Sequence, residues 1–204
     1  MIKVITHSCI RIDEDGIVIY ADPFRMPDDP HDGDIILVTH DHFDHFSPED
    51  IKKAAKSGAV VAAPVKMAKK AAEETGMDIT PVSPGNAYEL SGLTVETVPA
   101  YNILKPFHPK SAGWVGYIIN VGGRRIYIAG DTDVTPESKK VVCDVAMLPV
   151  GGKYTMNAKE AAGLANIIRP AEAIPTHYGT VVGSAEDGKL FASLVQSPTS
   201  VDFG

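Results

Sequence analysis

Three histidines and two aspartates crowd into the six positions His40-Asp41-His42-Phe43-Asp44-His45, and they follow directly on the apolar run Ile35 to Val38. An apolar run without alternation is the pattern of a strand covered on both faces. Any fold of this chain must therefore set a crowded polar loop at the end of a buried strand. In an extended loop, residues two apart project to the same side, so His40 and His42 can offer imidazoles to one cation, leaving Asp44 and His45 on the turn for a second. A solvated turn accounts for one histidine there. It does not account for this cluster, whose imidazoles would repel one another when protonated unless a cation organised them. Nitrogen and oxygen donors without thiolate suit Zn2+, with Mn2+ or Fe2+ as alternatives, and the lack of cysteine in the cluster excludes a zinc finger.

Before this segment the chain reads as short β-branched strands, Ile2 to Ile5, Ile10 to Ile12 and Ile17 to Tyr20, then a Pro-, Asp- and Gly-rich loop from Asp22 to Gly33. After it, Ser47-Pro48-Glu49-Asp50 starts a helix that is expected to stop at Gly58. Val60 to Ala63 reads as a strand and Val65 to Thr75 as a helix closed by Gly76. Strand character returns from Val82 to Val98, broken by Pro84-Gly85-Asn86 and Ser91-Gly92, and a loop runs from Pro99 to Gly113. Trp114 to Val121 and Arg124 to Ala129 form a hairpin about Gly122-Gly123. Pro136 to Val142 suggests a short helix, Val145 to Val150 a strand, Asn157 to Ile168 an Asn-capped helix, Ala171 to Pro175 a strand and Ala185 to Val195 a last helix. Antiparallel groups followed by helix-strand alternation predict an α+β protein of packed sheets with helices outside, a single mixed sheet being the alternative.

A chain of 204 residues, 44% hydrophobic and 22% charged, fits one domain spanning residues 1–204. A net charge of −7 lacks the positive field that a phosphate backbone demands, so nucleic acid is not an expected partner. Cys9 and Cys143 sit far apart in apolar runs and suggest free thiols, not a disulfide. The opening residues lack a signal peptide's apolar segment, and no window approaches the roughly 20 apolar residues needed to span a bilayer. A cytoplasmic protein without membrane contact is expected, with a homo-oligomer left open.

Thr39 to His45 resembles the His-x-His-x-Asp-His signature of the metallo-β-lactamase superfamily at every defined position. The resemblance continues, in that family's order, through Asp22-Pro23-Phe24, Gly130-Asp131-Thr132-Asp133 and Ile174-Pro175-Thr176-His177-Tyr178. His7-Ser8 and the segment Gly151 to Met156 are similar to the small metal-dependent hydrolase branch related to ascorbate-6-phosphate lactonase. What the resemblance implies is an αββα sandwich of two mixed β-sheets flanked by helices, with the site at one edge between the sheets. It implies a first metal on His40 and His42, a second on Asp44, His45 and His177, and Asp131 bridging both. The family's third histidine for the first metal belongs on the loop after the strand ending near Val98. This chain has Asn102 there, with His108 a few residues on, and the two are equal candidates for that position, so one ion or two is expected.

Around this set, His7 is a candidate substrate or proton-transfer contact, and Asp22 a residue that fixes the histidine loop by hydrogen bonding. Asp133 reads as a helix cap for Thr135-Pro136. Among the loop cations Arg25, Lys105, Lys110 and Lys153, Lys153 is the first choice for an anionic substrate group because Gly151-Gly152 precede it at a strand end. Trp114 and Tyr117 have strand periodicity and read as core. The expected activity is hydrolysis of an ester-type bond, lactone or phosphodiester, in a small, anionic metabolite, with hydroxide generated by the metal and Asp44 orienting it. Two rivals share the same ligands: a non-catalytic metal-binding or metal-sensing protein, and a di-iron oxidoreductase.

Overall fold

The structure, a computed structural model, describes residues 1–204. Thirteen strands form two sheets. The first runs β1 (Ile2–Thr6), β2 (Cys9–Glu14), β3 (Ile17–Ala21), β4 (Gly33–Leu37), β5 (Ala55–Pro64) and β6 (Ile79–Val82) in spatial order. The second holds β7 (Ala87–Leu90), β8 (Leu93–Pro99), β9 (Val115–Val121), β10 (Arg124–Ile128), β11 (Val145–Pro149), β12 (Glu172–Thr176) and β13 (Ser200–Val201), again in spatial order.

Alternation within single strands decides the layers. Ile35 and Leu37 of β4 point into the space between the sheets, where they meet Tyr117, Ile119 and Ile126. Ile36 and Val38 point the other way, onto α1 (Pro48–Ala54) and α2 (Val65–Thr75) through Ile51, Met67 and Ala71. Tyr127 of β10 likewise turns outward toward α3 (Ala158–Ile168) and α4 (Ala185–Leu194), where Leu164 and Phe191 are buried. Two sheets, each buried on both faces, with a helix pair outside each, make the expected αββα sandwich.

Mixed pairing matters more for the site. β1 and β3 are both antiparallel to β2, and β4 continues parallel to β3. In the other sheet β8 and β10 are both antiparallel to β9, and β11 and β12 continue parallel to β10. The C-terminal ends of β1, β3 and β4 therefore share one edge of their sheet, as do those of β8, β10, β11 and β12.

Two local expectations are corrected, and one strand is added. The first helix ends at Ala54 instead of Gly58, because Ala55 turns extended and pairs with Gly33, opening β5 early. Residues 136–142 make only a 3-10 turn at Ser138–Lys140, held by reciprocal Thr135 and Ser138 side chain to backbone bonds, after which the β-branched Val141 is extended. The short β13 carries no strand signal of its own and exists through parallel pairing with β12. Both cysteines are free, as expected. No helix is long and apolar enough to cross a membrane.

Candidate metal centre

Seven loops leaving those seven strand ends bring the polar residues together. His7 follows β1, Asp22 follows β3, His40 to His45 follow β4, His108 lies beyond β8, Asp131 beyond β10, Gly151 beyond β11, and His177 follows β12. Four of these residues have left-handed backbone, with φ of 54° at His7, 45° at Asp22, 57° at His108 and 58° at His177. Such a conformation costs a non-glycine residue about 1–3 kcal/mol and persists only where surrounding structure over-determines it. Here it turns His7 and His177 off the ends of β1 and β12 toward the centre and Asp22 off β3 onto the histidine loop.

Two groups of ligand-type atoms result. His40, His42, His108 and Asp131 form one; His7, Asp44, His45 and His177 form the other, and within each group the atoms lie within 4.8 Å of one another. Asp131 stands between them: its Oδ2 is 3.3 Å from His108 Nε2 and 3.1 Å from His177 Nε2, while its Oδ1 is 3.2 Å from His45 Nε2. Asp44 Oδ2 is 3.2 Å from His7 Nε2 and 3.5 Å from His177 Nε2. The Nε2 atoms of His40, His45, His108 and His177, with Asp131 Oδ1, are buried and without a hydrogen-bond partner. Buried polar atoms are normally satisfied, so five orphans gathered in these two adjoining groups fit cations as their missing partners.

The surrounding bonds set the ring orientations. Asp22 Oδ1 accepts from Thr39 N at 2.8 Å, and its Oδ2 accepts from Thr39 Oγ1 at 2.6 Å and from His45 Nδ1 at 2.7 Å. Because the Thr39 hydroxyl spends its hydrogen on Asp22, it accepts from His40 Nδ1 at 2.9 Å. Nδ1 of both rings is thereby taken up by Thr39 and Asp22, which leaves Nε2 as the atom turned to the centre, the orientation a metal-binding histidine needs. Gly151 backs His177: a Cβ there would stand 2.3 Å from the His177 carbonyl oxygen, so only glycine permits the approach.

Burial and the carboxylates divide the charges. Burial drives His40 well below the ordinary imidazole range, with His45 adding repulsion, and lowers His42 and His7 as well. Burial opposes charge on His45 too, but Asp131 and Asp22 override it and raise His45 well above that range. Asp131 and Asp44 likewise raise His177 against its burial. Asp131 and Asp44 are held far below the usual carboxylate range despite burial, chiefly by His177. The protons that these ionised carboxylates keep on the buried His45 and His177 rings are what a divalent cation displaces.

Most of the expected residues meet here, and several do so in unexpected ways. His108 presents Nε2 to the centre, whereas Asn102 lies behind it, with Nδ2 donating to the Tyr154 carbonyl at 2.7 Å and standing 3.2 Å from His108 Nδ1. The weak amide oxygen is thus displaced by a true nitrogen donor six residues on. His7 faces Asp44 and the Thr180 hydroxyl, at 3.2 and 3.1 Å, and does not line the cleft. Asp133 caps no helix; it accepts from Ile103 N at 3.0 Å and pairs with Lys105, pinning the 101–108 loop. Lys110 pairs with Glu137 and Arg25 lies over the Phe24 ring, leaving Lys153 the cation that lines the cleft. Tyr117 is core, but Trp114 is not: its ring packs 4.9 Å from both His40 and His42 and 5.3 Å from His108. Its place just before β9 carried no sign of this.

Residues 1–177 match the β-lactamase superfamily domain. A UPF0173 metal-dependent hydrolase of Pyrococcus abyssi is 33% identical over 98% of this chain and 94% of its own. One from Methanopyrus kandleri is 30% identical over 93% of this chain and 89% of its own. A crystal structure of a Parabacteroides distasonis protein superposes with a TM-score of 0.82 at 31% identity, covering 99% of this chain and 91% of that one. Matching sequence along nearly the whole length, the same fold and the convergent histidines and aspartates agree, and the chain belongs to the metallo-β-lactamase superfamily, in its group of metal-dependent hydrolases.

Proposed function

We propose that the protein hydrolyses an ester-type bond, a lactone or phosphodiester, in a small molecule, using two divalent cations. His40, His42 and His108 would hold the first, and Asp44, His45 and His177 the second, with Asp131 within reach of both groups. The imidazole and carboxylate donors suit Zn2+, with Mn2+ and Fe2+ as alternatives. A cation bound there supplies Lewis acidity, lowering the pKa of a coordinated water from 15.7 toward about 7 and polarising the oxygen of the scissile group. The observation that carries this reading is the convergence of five buried, unpartnered nitrogen and oxygen atoms from four histidines and Asp131.

This chain's own residues do the rest. Asp22 and Thr39 hold His45 and His40 by Nδ1, with Nε2 turned to the centre. Asp44, open to the cleft, orients the attacking water, and His7 holds Asp44 in place through its 3.2 Å contact. The reaction consumes one water: its oxygen bonds to the acyl carbon or phosphorus as the ester oxygen departs. One proton goes to that leaving oxygen and one to solvent as the new acid ionises.

The experiment is metal analysis alongside turnover. Protein loaded with Zn2+ or Mn2+ is expected to cleave p-nitrophenyl esters or phosphodiesters, and Asp131→Ala with His45→Ala to lose both metal and hydrolysis. Full hydrolysis by that double variant would refute the proposal. Metal uptake without cleavage of any ester, lactone or phosphodiester would favour a metal-binding protein that does no chemistry.

A further inference from the structure

We propose that the cleft beside the metal centre selects molecules with an aromatic or branched apolar body and a single anionic group, the body lying against Phe107, Tyr154, Val181 and Val182 and the anion on Lys153. For what is cleaved the inference rests on the hydrolytic reading above; for what is bound it stands on the lining alone.

The cleft has a volume of about 470 Å³, inside the range of sites for small organic ligands. Apart from the residues of the metal centre it is lined by Phe43, Phe107, Lys153, Tyr154, Val181 and Val182. Of these only Lys153 and the Tyr154 hydroxyl can hydrogen-bond through a side chain. A sugar or nucleotide would bring many hydroxyl and ring donors and acceptors into such a place and leave them unpaired, a penalty that apolar walls cannot offset. An apolar body brings no such groups and covers surface that is now in water. Phe43 is 66% exposed and Phe107 44% exposed. The Phe107 and Tyr154 rings meet edge to face at 4.8 Å and 83°, a preorganised corner for a third ring.

Charge narrows the choice further. Lys153 holds its ammonium 5.0 Å from the Tyr154 ring centroid and not on a carboxylate, whereas Lys105 and Lys110 are occupied by Asp133 and Glu137. An aromatic ring beside a free ammonium leaves its donors for one anionic partner. Lys153 is the one cationic side chain in the lining, so outside the metal centre the cleft offers a place for one negative group.

The test is calorimetric titration of the metal-loaded protein with phenylacetate, acetate and phenylethanol. Phenylacetate is expected to bind at least about tenfold more tightly than either of the others. Lys153→Met should erase its advantage over phenylethanol and leave its advantage over acetate; Phe107→Ala should do the reverse. Acetate binding as tightly as phenylacetate would overturn the proposal. So would an advantage over phenylethanol that survives Lys153→Met, because the carboxylate would then sit on the metal. Hydrolysis of p-nitrophenyl esters, lactones and phosphodiesters is followed on the same samples: the expected binding pattern without turnover of any of them would refute the hydrolytic reading and uphold this one.

Discussion

Asp22 accepts a 2.7 Å hydrogen bond from His45 Nδ1, on the ring face opposite the Nε2 that stands 3.2 Å from Asp131. The same carboxylate accepts from the Thr39 amide and hydroxyl, so one buried side chain fixes the backbone and the ring orientations of the whole histidine loop. Such partners of metal-binding histidines are worth about 10–100-fold in metal affinity. Asp22→Asn is expected to lower affinity by roughly that factor while keeping the fold. Competition with a chromophoric chelator measures it; unchanged affinity would show that the carboxylate does not act on the centre.

His108 and Asn102 separate cleanly by experiment. His108→Ala removes a nitrogen donor and is expected to reduce the bound metal to about one ion per chain, on the ligand counts usual for such sites. Asn102→Ala removes only the group behind the ring and should keep the stoichiometry while weakening binding of the first ion. Elemental analysis after gel filtration reads both, and a loss of metal confined to Asn102→Ala would reverse the assignment.

Removing metal should cost stability. Unpartnered Nε2 atoms on four histidines, with two buried carboxylates, gain their partners only in the folded chain with a cation, so the ion binds the native state and not the unfolded one. At a free ion concentration about 1,000 times Kd this linkage amounts to about 4 kcal/mol. Adding Zn2+ to chelator-treated protein is therefore expected to raise Tm by several degrees in a concentration-dependent way. An identical Tm with and without chelator would mean that the centre does not grip an ion.

Far from the centre, Glu137 provides a pH-dependent test of the fold. The Lys110 ammonium at 2.7 Å, aided by the Tyr101 hydroxyl at 2.8 Å, holds its carboxyl down at about 2. A depressed carboxyl stabilises the folded state above its unfolded pKa, and that contribution disappears as pH falls through the folded value. The window thus runs from about 4.5 down to about 2. The pair is solvent-exposed, with side chains 32% and 60% accessible, so the effect stays below about 1 kcal/mol. Glu137→Gln should lower Tm slightly near neutral pH and make no difference near the bottom of that window. A constant gap across the range would exclude the ion pair as its source.

Much of the architecture was legible because periodicity is local. The run Ile35 to Val38 announces a strand buried on both faces, and Ser47 and Asn157 announce helix starts that the structure repeats as caps. Misreadings fell where tertiary pairing overrode local preference. Ala55 to Gly58 joined a sheet instead of extending a helix, while Ser200-Val201, for which no element was expected, became a strand by lying beside β12.

The residue types and spacing near position 40 were enough to show that this chain is built around a cation, because imidazoles and carboxylates so close together have no comfortable arrangement without one. Which distant residues join them was decided only when parallel strands placed their C-terminal ends on a common edge. That edge brought His7 to Asp44 and His108 ahead of Asn102, and set Trp114 against three histidine rings. It also surrounded the opening with aromatic and valine side chains scattered along the chain. Spacing along a chain reports which side chains share a local face. It carries no record of which strand ends will lie side by side, since that follows from sheet order and from burying apolar faces across the whole molecule.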